Sequence, residues 1–184
     1  MPMTPLPQLK STMFGRMPVG GQKPQGATAA PAGPRGVRVE HRIGVQAPAE
    51  VIWDIVYDIN AWGAWNPLYT EAAGTIHIGE TVTMTAVLAG MAPRKLTGTV
   101  LEWVPNEQLH YLVKAMGGLV VSTRYVEIEQ LAPESCIVSN GEIMGGLLGP
   151  TVARSLGGKV YRGFREMDEA LKARAEERWR ERAA

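Results

Sequence analysis

Two charged residues lie on strand faces that are otherwise apolar, so they are the first candidates for chemistry. Residues of a strand alternate between its two faces. The sets that share a face are Val138, Asn140, Glu142 and Met144 on one strand, and Ser122, Arg124, Val126 and Ile128 on the preceding one. If both faces point inward, Glu142 could anchor a ligand hydroxyl or act as a general acid/base, with Arg124 as its charged neighbour. The alternative is a structural ion pair, either fixing the sheet or exposed at a cavity mouth.

Aromatic and apolar residues could line the same interior volume. Trp65 and Tyr69, with Trp62, could form the wall or lid of a cavity, or they could cover one end of the sheet. For Trp62 we favour packing. The expected ligand-binding set is Trp65, Tyr69, Met84, Tyr111, Arg124, Asn140, Glu142, Met144, Val160 and Phe164. Each apolar member, taken alone, is better explained as core than as a ligand contact.

The element that would close such a volume is a long amphipathic helix, predicted from Thr151 to Trp179. Its apolar residues recur at steps of three and four. They are Val152, Leu156, Val160, Phe164, Met167, Leu171, Ala175 and Trp179. The charged residues, Asp168 among them, fall mostly on the other sides. Glycines inside the helix each cost about 1 kcal/mol relative to alanine, so Gly157, Gly158 and Gly163 predict a close approach, a bend or room for a ligand.

Before this helix the chain has the pattern of strands around one helix pair. Alternation from Val37 to Val45 predicts a first strand, on whose apolar face His41 is expected as a satisfied core histidine. A helix opens at Ala47-Pro48-Ala49-Glu50, and a short second helix or turn spans Asn60 to Pro67. Six further strands are predicted at 69–73, 80–88, 95–104, 108–116, 120–130 and 135–144. Short connections imply antiparallel hairpins. The inward face of the strand that carries Trp103 is not decided by its alternation.

Local sequences also resemble a known family. WGAWNP at Trp62–Pro67 is similar to a tryptophan-rich turn after a helix pair, and GTVLEWVPNEQLHYL at Gly98–Leu112 to a hairpin with a proline turn. GEIMGGLLGP at Gly141–Pro150 and RGFREMDEALKARAE at Arg162–Glu176 are similar to a last strand, linker and terminal helix. They resemble the START/Bet v 1-like (SRPBCC) superfamily, in its polyketide cyclase/dehydrase and lipid-transport branch, over about Val37 to Arg178.

The resemblance implies an α+β helix-grip fold. This is a seven-stranded antiparallel sheet curved around a long C-terminal helix, with two short helices after the first strand. Many members of this branch carry a histidine where Arg124 stands. Because arginine stays charged, Arg124 is expected to anchor or to stabilise charge rather than to transfer protons.

Composition sets further limits. The 184 residues predict one domain, residues 37–184, after a Pro/Gly-rich segment, residues 1–36, which is expected to be disordered. Part of that segment could be an artefact of the start site, or the segment could serve as a tethering arm. A net charge of +1 gives no electrostatic case for nucleic acid or a strongly anionic membrane. One cysteine, scattered histidines and no apolar run long enough to span a bilayer predict a cytoplasmic protein without integral membrane association, metal site or cofactor. The oligomeric state stays open, a homo-oligomer included.

Two functions remain in consideration after these limits. The first is binding of a hydrophobic or amphipathic small molecule, such as a lipid, quinone or polyketide-like compound, in a cavity between sheet and helix. The second is an aromatase/cyclase or dehydratase that uses Glu142 as general acid/base and Arg124 as oxyanion stabiliser, without metal or nucleotide. We favour binding. A membrane-surface module is the weakest class, since the charges of the terminal helix are mixed.

Overall fold

A computed structural model describes residues 35–183. The segment expected to be disordered, residues 1–36, lies outside the described residues except for Arg35 and Gly36. No helix within the described range combines the length and the apolar character needed to cross a bilayer.

Seven strands and two α-helices make up the fold. The strands are β1 (Val37–Val45), β2 (Tyr69–Gly74), β3 (Thr81–Ala86), β4 (Arg94–Val104), β5 (Gln108–Ala115), β6 (Val120–Ala132) and β7 (Ser135–Gly145). The helices are α1 (Ala49–Tyr57) and α2 (Gly149–Ala183), with 3₁₀ helices at Ile59–Ala64 and Met116–Gly118. All neighbouring strands are antiparallel, in the order β1-β7-β6-β5-β4-β3-β2. The predicted helix-grip architecture is therefore confirmed.

The helices begin where backbone chemistry allows. Pro48 precedes α1, and its carbonyl accepts from the amides of Val51 and Ile52 at 3.1 and 3.3 Å. Pro150 stands in the first turn of α2, where a missing N–H breaks no intrahelical hydrogen bond. The helix consequently starts two residues before the predicted Thr151 and continues past Trp179.

A β-bulge explains why alternation could not orient Trp103. The ladder between β4 and β5 pairs Val100 with Tyr111 and then Glu102 with His110, which leaves Leu101 as an extra residue. The bulge reverses the parity of the strand, so that Val100 and Trp103 both face inward. Trp103 stacks on Trp53 of α1, with ring centroids 6.4 Å apart.

The apolar stripe of α2 packs into the concave side of the sheet. Its middle and C-terminal members are buried: Val160, Phe164, Met167, Leu171 and Ala175. The prediction of this face is confirmed, with one error. Asp168 is fully buried, because it lies at the edge of the stripe where α2 crosses β1 and β7.

The three glycines of α2 differ in their surroundings. A Cβ at Gly163 would lie 2.8 Å from Leu68 Cδ1, so any larger residue would require the buried Leu68 side chain to move. A Cβ at Gly157 would make an ordinary contact with Val39, and one at Gly158 would meet nothing within 4 Å. Close approach therefore accounts for Gly163 alone.

We expect Gly158→Ala to raise the free energy of unfolding by about 0.5–1 kcal/mol, because alanine loses less backbone entropy in a helix and meets no neighbour here. Gly163→Ala is the matched variant and should be destabilising, since the added methyl pushes against Leu68. Urea denaturation of both variants measures the difference. Equal effects of the two substitutions would contradict this account of the helix.

Candidate functional site

A cavity of about 140 Å³ lies between the N-terminal half of α2 and the end of the sheet where β5 and β7 finish. Its wall is mainly apolar. The lining residues are Leu68, Tyr69, Ala86, Leu88, Met91, Ala92, Arg94, Leu96, Val113, Ala115, Val120, Ser122, Arg124, Glu142, Met144, Val152, Leu156 and Val160. An apolar cavity of about 150 Å³ holds a molecule the size of benzene. The space therefore suits one ring or a short aliphatic segment.

An ion pair stands on the inner wall of this cavity. Arg124 and Glu142 are directly opposite each other in the β6–β7 ladder, and Arg124 Nη1 donates to Glu142 Oε2 at 3.3 Å. The side chains are only 8% and 13% exposed. The inward direction predicted from strand alternation is confirmed for both strands.

Aromatic rings hold the guanidinium of Arg124. Its central carbon lies 4.1 Å from the ring centroid of Phe164 and 5.4 Å from that of Tyr69, which are cation–π distances. Burial lowers the pKa of Arg124, but the oxygens of Tyr69, Tyr111 and Glu142 raise it, and the net pKa lies above the ordinary value. Arginine at this position is consequently always cationic.

Two further groups on the inner side carry hydrogen-bonding capacity. Burial raises the pKa of Tyr69 well above its usual value, so its phenol stays protonated. Arg124 Nε is buried and has no hydrogen-bond partner among residues 35–183. A buried donor without a partner costs about 1–3 kcal/mol.

Half of the expected ligand-binding set lies on the cavity wall. These residues are Tyr69, Arg124, Glu142, Met144 and Val160. Phe164 and Tyr111 lie behind the wall, the first against the guanidinium and the second opposite Arg124 in the β5–β6 ladder. Trp65 is half-buried against Trp62, and its Nε1 has no partner among the described residues. Met84 is buried opposite the wall residue Leu96 but does not itself line the cavity.

The sequence interpretation missed the apolar residues that complete the wall. Leu88, Met91 and Ala92 come from the β3–β4 connection, whereas Val152 and Leu156 come from the first turns of α2. The helical stripe already contained Val152 and Leu156. Nothing in the local pattern of residues 87–93 shows that this connection folds over the cavity.

Asn140 belongs to a second polar cluster. Its Nδ2 donates to Asp168 Oδ1 at 3.1 Å and contacts Met167 Sδ at 3.2 Å. His41 Nδ1 bonds the other oxygen of Asp168, Oδ2, at 2.7 Å, and its ring meets the edge of Tyr161. The prediction of a satisfied core histidine is confirmed. The cluster fastens α2 to β1 and β7.

Comparison with known proteins gives one family and a common fold. Residues 36–176 match the family model described as "Polyketide cyclase / dehydrase and lipid transport". No curated protein sequence matches the chain.

Solved structures are similar in fold. The Zhui aromatase/cyclase from Streptomyces sp. R1128 superimposes with a TM-score of 0.64 at 20% identity, over 77% of this chain and 94% of that one. Norcoclaurine synthase from Thalictrum flavum gives 0.60 at 14%, over 77% and 95%. A START superfamily protein from Mycobacterium smegmatis gives 0.54 at 21%, over 78% and 97%. At these identities the likeness shows the fold alone.

Asp168 makes stability depend on pH. Burial raises its pKa from 3.8 to about 6, although the hydrogen bonds from His41 and Asn140 act in the opposite direction. The folded state therefore keeps a proton that the unfolded chain loses, and the resulting stabilisation is complete below 3.8 and lost as pH rises through about 6. As pH rises through this window, we expect the natural protein to lose at most about 3 kcal/mol of unfolding free energy relative to the Asp168→Asn variant.

Chemical denaturation at a series of pH values measures this difference. Asp54→Asn, which changes an exposed carboxylate paired with Arg182, is the control and should leave the slope unchanged. A constant difference between the natural protein and Asp168→Asn at all pH values would refute the assignment.

Proposed function

The chain belongs to the polyketide cyclase/dehydrase and lipid transport family, and we propose that it binds a hydrophobic or amphipathic small molecule in the cavity between the sheet and α2. Lipids, quinones and polyketide-like compounds are the candidate classes. The observation that carries the proposal is the combination of an apolar cavity with one buried, always charged group on its inner wall. Ligand sites commonly have an apolar lining with a few placed polar groups.

The residues of the cavity wall determine which kind of ligand fits. The apolar lining favours a ring or an aliphatic body, whose burial is worth about 25 cal/mol per Å². At the inner end, the guanidinium of Arg124 would donate to a carbonyl or hydroxyl oxygen of the ligand, and Ser122 and Glu142 also line the cavity. An apolar molecule with oxygen at one end satisfies both parts of the wall.

A quinone or lipid is larger than the cavity, so the wall must open for it. The side chains able to move are the half-buried ones near the surface, Leu88, Met91 and Leu156. Methionine adapts readily to different ligand shapes because it is unbranched. Leu88 and Met91 lie on a connection rather than on a strand, where movement disturbs no ladder hydrogen bonds.

Blocking the cavity should weaken ligand binding. A panel of menadione, dodecanoic acid and anthraquinone, titrated by calorimetry, should contain at least one saturable ligand. We expect Leu156→Trp to weaken that ligand at least about tenfold, because the indole fills space lined by Leu156. Ala170→Trp, on α2 but away from the cavity, is the matched control. Absence of any saturable ligand, or equal weakening by both variants, would reject the proposal.

Catalysis is the second candidate function, favoured by the position of the Arg124–Glu142 pair on the cavity wall. In a cyclisation, Glu142 would take a proton from a carbon next to a carbonyl, while Arg124 stabilises the enolate oxygen. The enolate carbon would attack a second carbonyl carbon of the same chain, forming a C–C bond. Glu142 would then return the proton to the new alkoxide, so no oxidant, reductant or cofactor is consumed.

Glu142→Gln separates the two functions. If a bound compound is turned over, we expect this variant to lower kcat by about 10²- to 10⁴-fold, the usual contribution of a general acid/base. The control is Glu129→Gln, the same change on an exposed carboxylate of β6. Turnover unaffected by Glu142→Gln would rule out this mechanism. Binding without turnover would leave the ligand-binding function alone.

A further inference from the structure

Exposed apolar side chains surround the end of the molecule at which the cavity lies. Met116 and Leu119 are 57% and 43% exposed in the β5–β6 connection, and Leu147, between β7 and α2, is 80% exposed. The amide of Leu148 donates to the carbonyl of Leu119 at 3.0 Å, which places the two connections side by side. We call Met116, Leu119 and Leu147 the apolar rim.

The cavity reaches this rim. Ala115 and Val120, which flank the β5–β6 connection, are wall residues, as is Met144 near the end of β7. Met116 has a φ of 53°, an uncommon value for a residue other than glycine, and it is followed by two glycines that also have positive φ. The tight turn therefore presents the Met116 side chain to solvent beside the cavity.

Basic residues lie at the same end of the sheet as the rim, where Glu71, two strands from Lys95, is also placed. Arg94 and Lys95 begin β4 and Lys114 is the penultimate residue of β5, while Arg154 and Lys159 lie in the first three turns of α2. Lys114 pairs with Val121, which pairs with Gly145, two residues before Leu147. Lys159 Nζ lies beside Gly90 of the β3–β4 connection. Segments 87–95, 114–124 and 143–165 contain no aspartate or glutamate.

The opposite end of the sheet has the reverse charge. Its connections carry Glu80, Glu107 and Glu134, and residues 75–80, 105–107 and 133–134 contain no lysine or arginine. The connections at the two ends of the sheet thus differ in sign, although residues 35–184 as a whole are nearly balanced, with 16 lysines and arginines against 18 aspartates and glutamates. Residues 1–34 add Lys10, Arg16 and Lys23, again without an acidic residue.

We propose that the apolar rim and its basic surround dock the protein on an anionic lipid bilayer, with the cavity facing the membrane. Apolar side chains at the tips of connections insert among acyl chains, while lysine and arginine interact with anionic head groups. Docking would let an apolar ligand pass between bilayer and cavity without crossing water. The inference relies on the proposed function for the ligand, but not for the docking itself.

Charge complementarity favours a bilayer over a second copy of the chain. A two-fold contact through this surface would bring two basic ends together, which is repulsive. Nucleic acid would use the basic residues but would leave Leu147 without an apolar partner.

Vesicle flotation tests the docking. At low salt we expect the full chain to float with vesicles of phosphatidylcholine and phosphatidylglycerol, to bind phosphatidylcholine vesicles far more weakly, and to be released by added salt. Leu147→Glu and Leu119→Glu should each weaken vesicle binding about tenfold or more, as insertion loses an apolar side chain and gains a repelled charge. Leu131→Glu is the matched control, because Leu131 is 59% exposed near the opposite end. Lys114→Glu should weaken binding, and Arg178→Glu, at the far end of α2, should not.

Three results would overturn the proposal. The first is that the protein does not float with vesicles that contain phosphatidylglycerol, and the second is that Leu131→Glu and Leu147→Glu weaken vesicle binding equally. The third is a concentration-dependent dimer that Leu147→Glu dissociates. Thermal unfolding checks that the variants fold, which is expected since the changed residues are exposed. Calorimetry with the soluble ligand keeps the two hypotheses apart. If the protein does not bind vesicles but does bind the soluble ligand, only this inference is wrong. If it binds vesicles but no soluble ligand, only the proposed function is wrong.

Discussion

The packing of α2 against the concave side of the sheet is the constraint on which the other features depend. In the C-terminal half of the helix, Phe164, Met167 and Leu171 fill the space between the sheet and α1. In the N-terminal half, Val152 and Leu156 are only half-buried and leave a cavity beneath them. One amphipathic stripe thus provides the core at one end and the roof of the candidate site at the other. Gly163 stands between these halves and sets how closely the helix approaches Leu68.

The Arg124–Glu142 pair is a costly feature in such an interior. Removing two charges from water costs several kcal/mol per ion, and well-packed apolar residues often serve stability as well or better. The protein reduces the cost by placing the guanidinium between Phe164 and Tyr69 and against Glu142, but Nε remains without a partner among the described residues. Stability alone does not explain this arrangement. The proposed ligand, with an acceptor atom at the inner end of the cavity, would give the guanidinium a further partner.

Polar groups have different roles at two neighbouring positions of β7. Glu142 faces the cavity, whereas Asn140, two residues earlier, is covered by α2 and bonds Asp168. The His41–Asp168–Asn140 cluster therefore holds the helix in place, and the ion pair next to it contributes to the cavity wall. Outside the core, the connections at the two ends of the sheet carry opposite charges, and the net charge of the chain does not reveal this asymmetry.

The sequence by itself determined the strands, the helices and the inward faces of β6, β7 and α2, because each follows from a period of two or of about 3.6 residues within one element. It also placed Arg124 and Glu142 on the same interior. Tertiary structure alone decided the rest. The bulge at Leu101 reversed the parity of β4, the crossing of α2 over β1 buried Asp168, and the connection at 87–93 folded over the cavity. Periodicity describes which side of an element a residue occupies, but not which other element covers that side, and the cavity and its charged rim arise where separate elements meet.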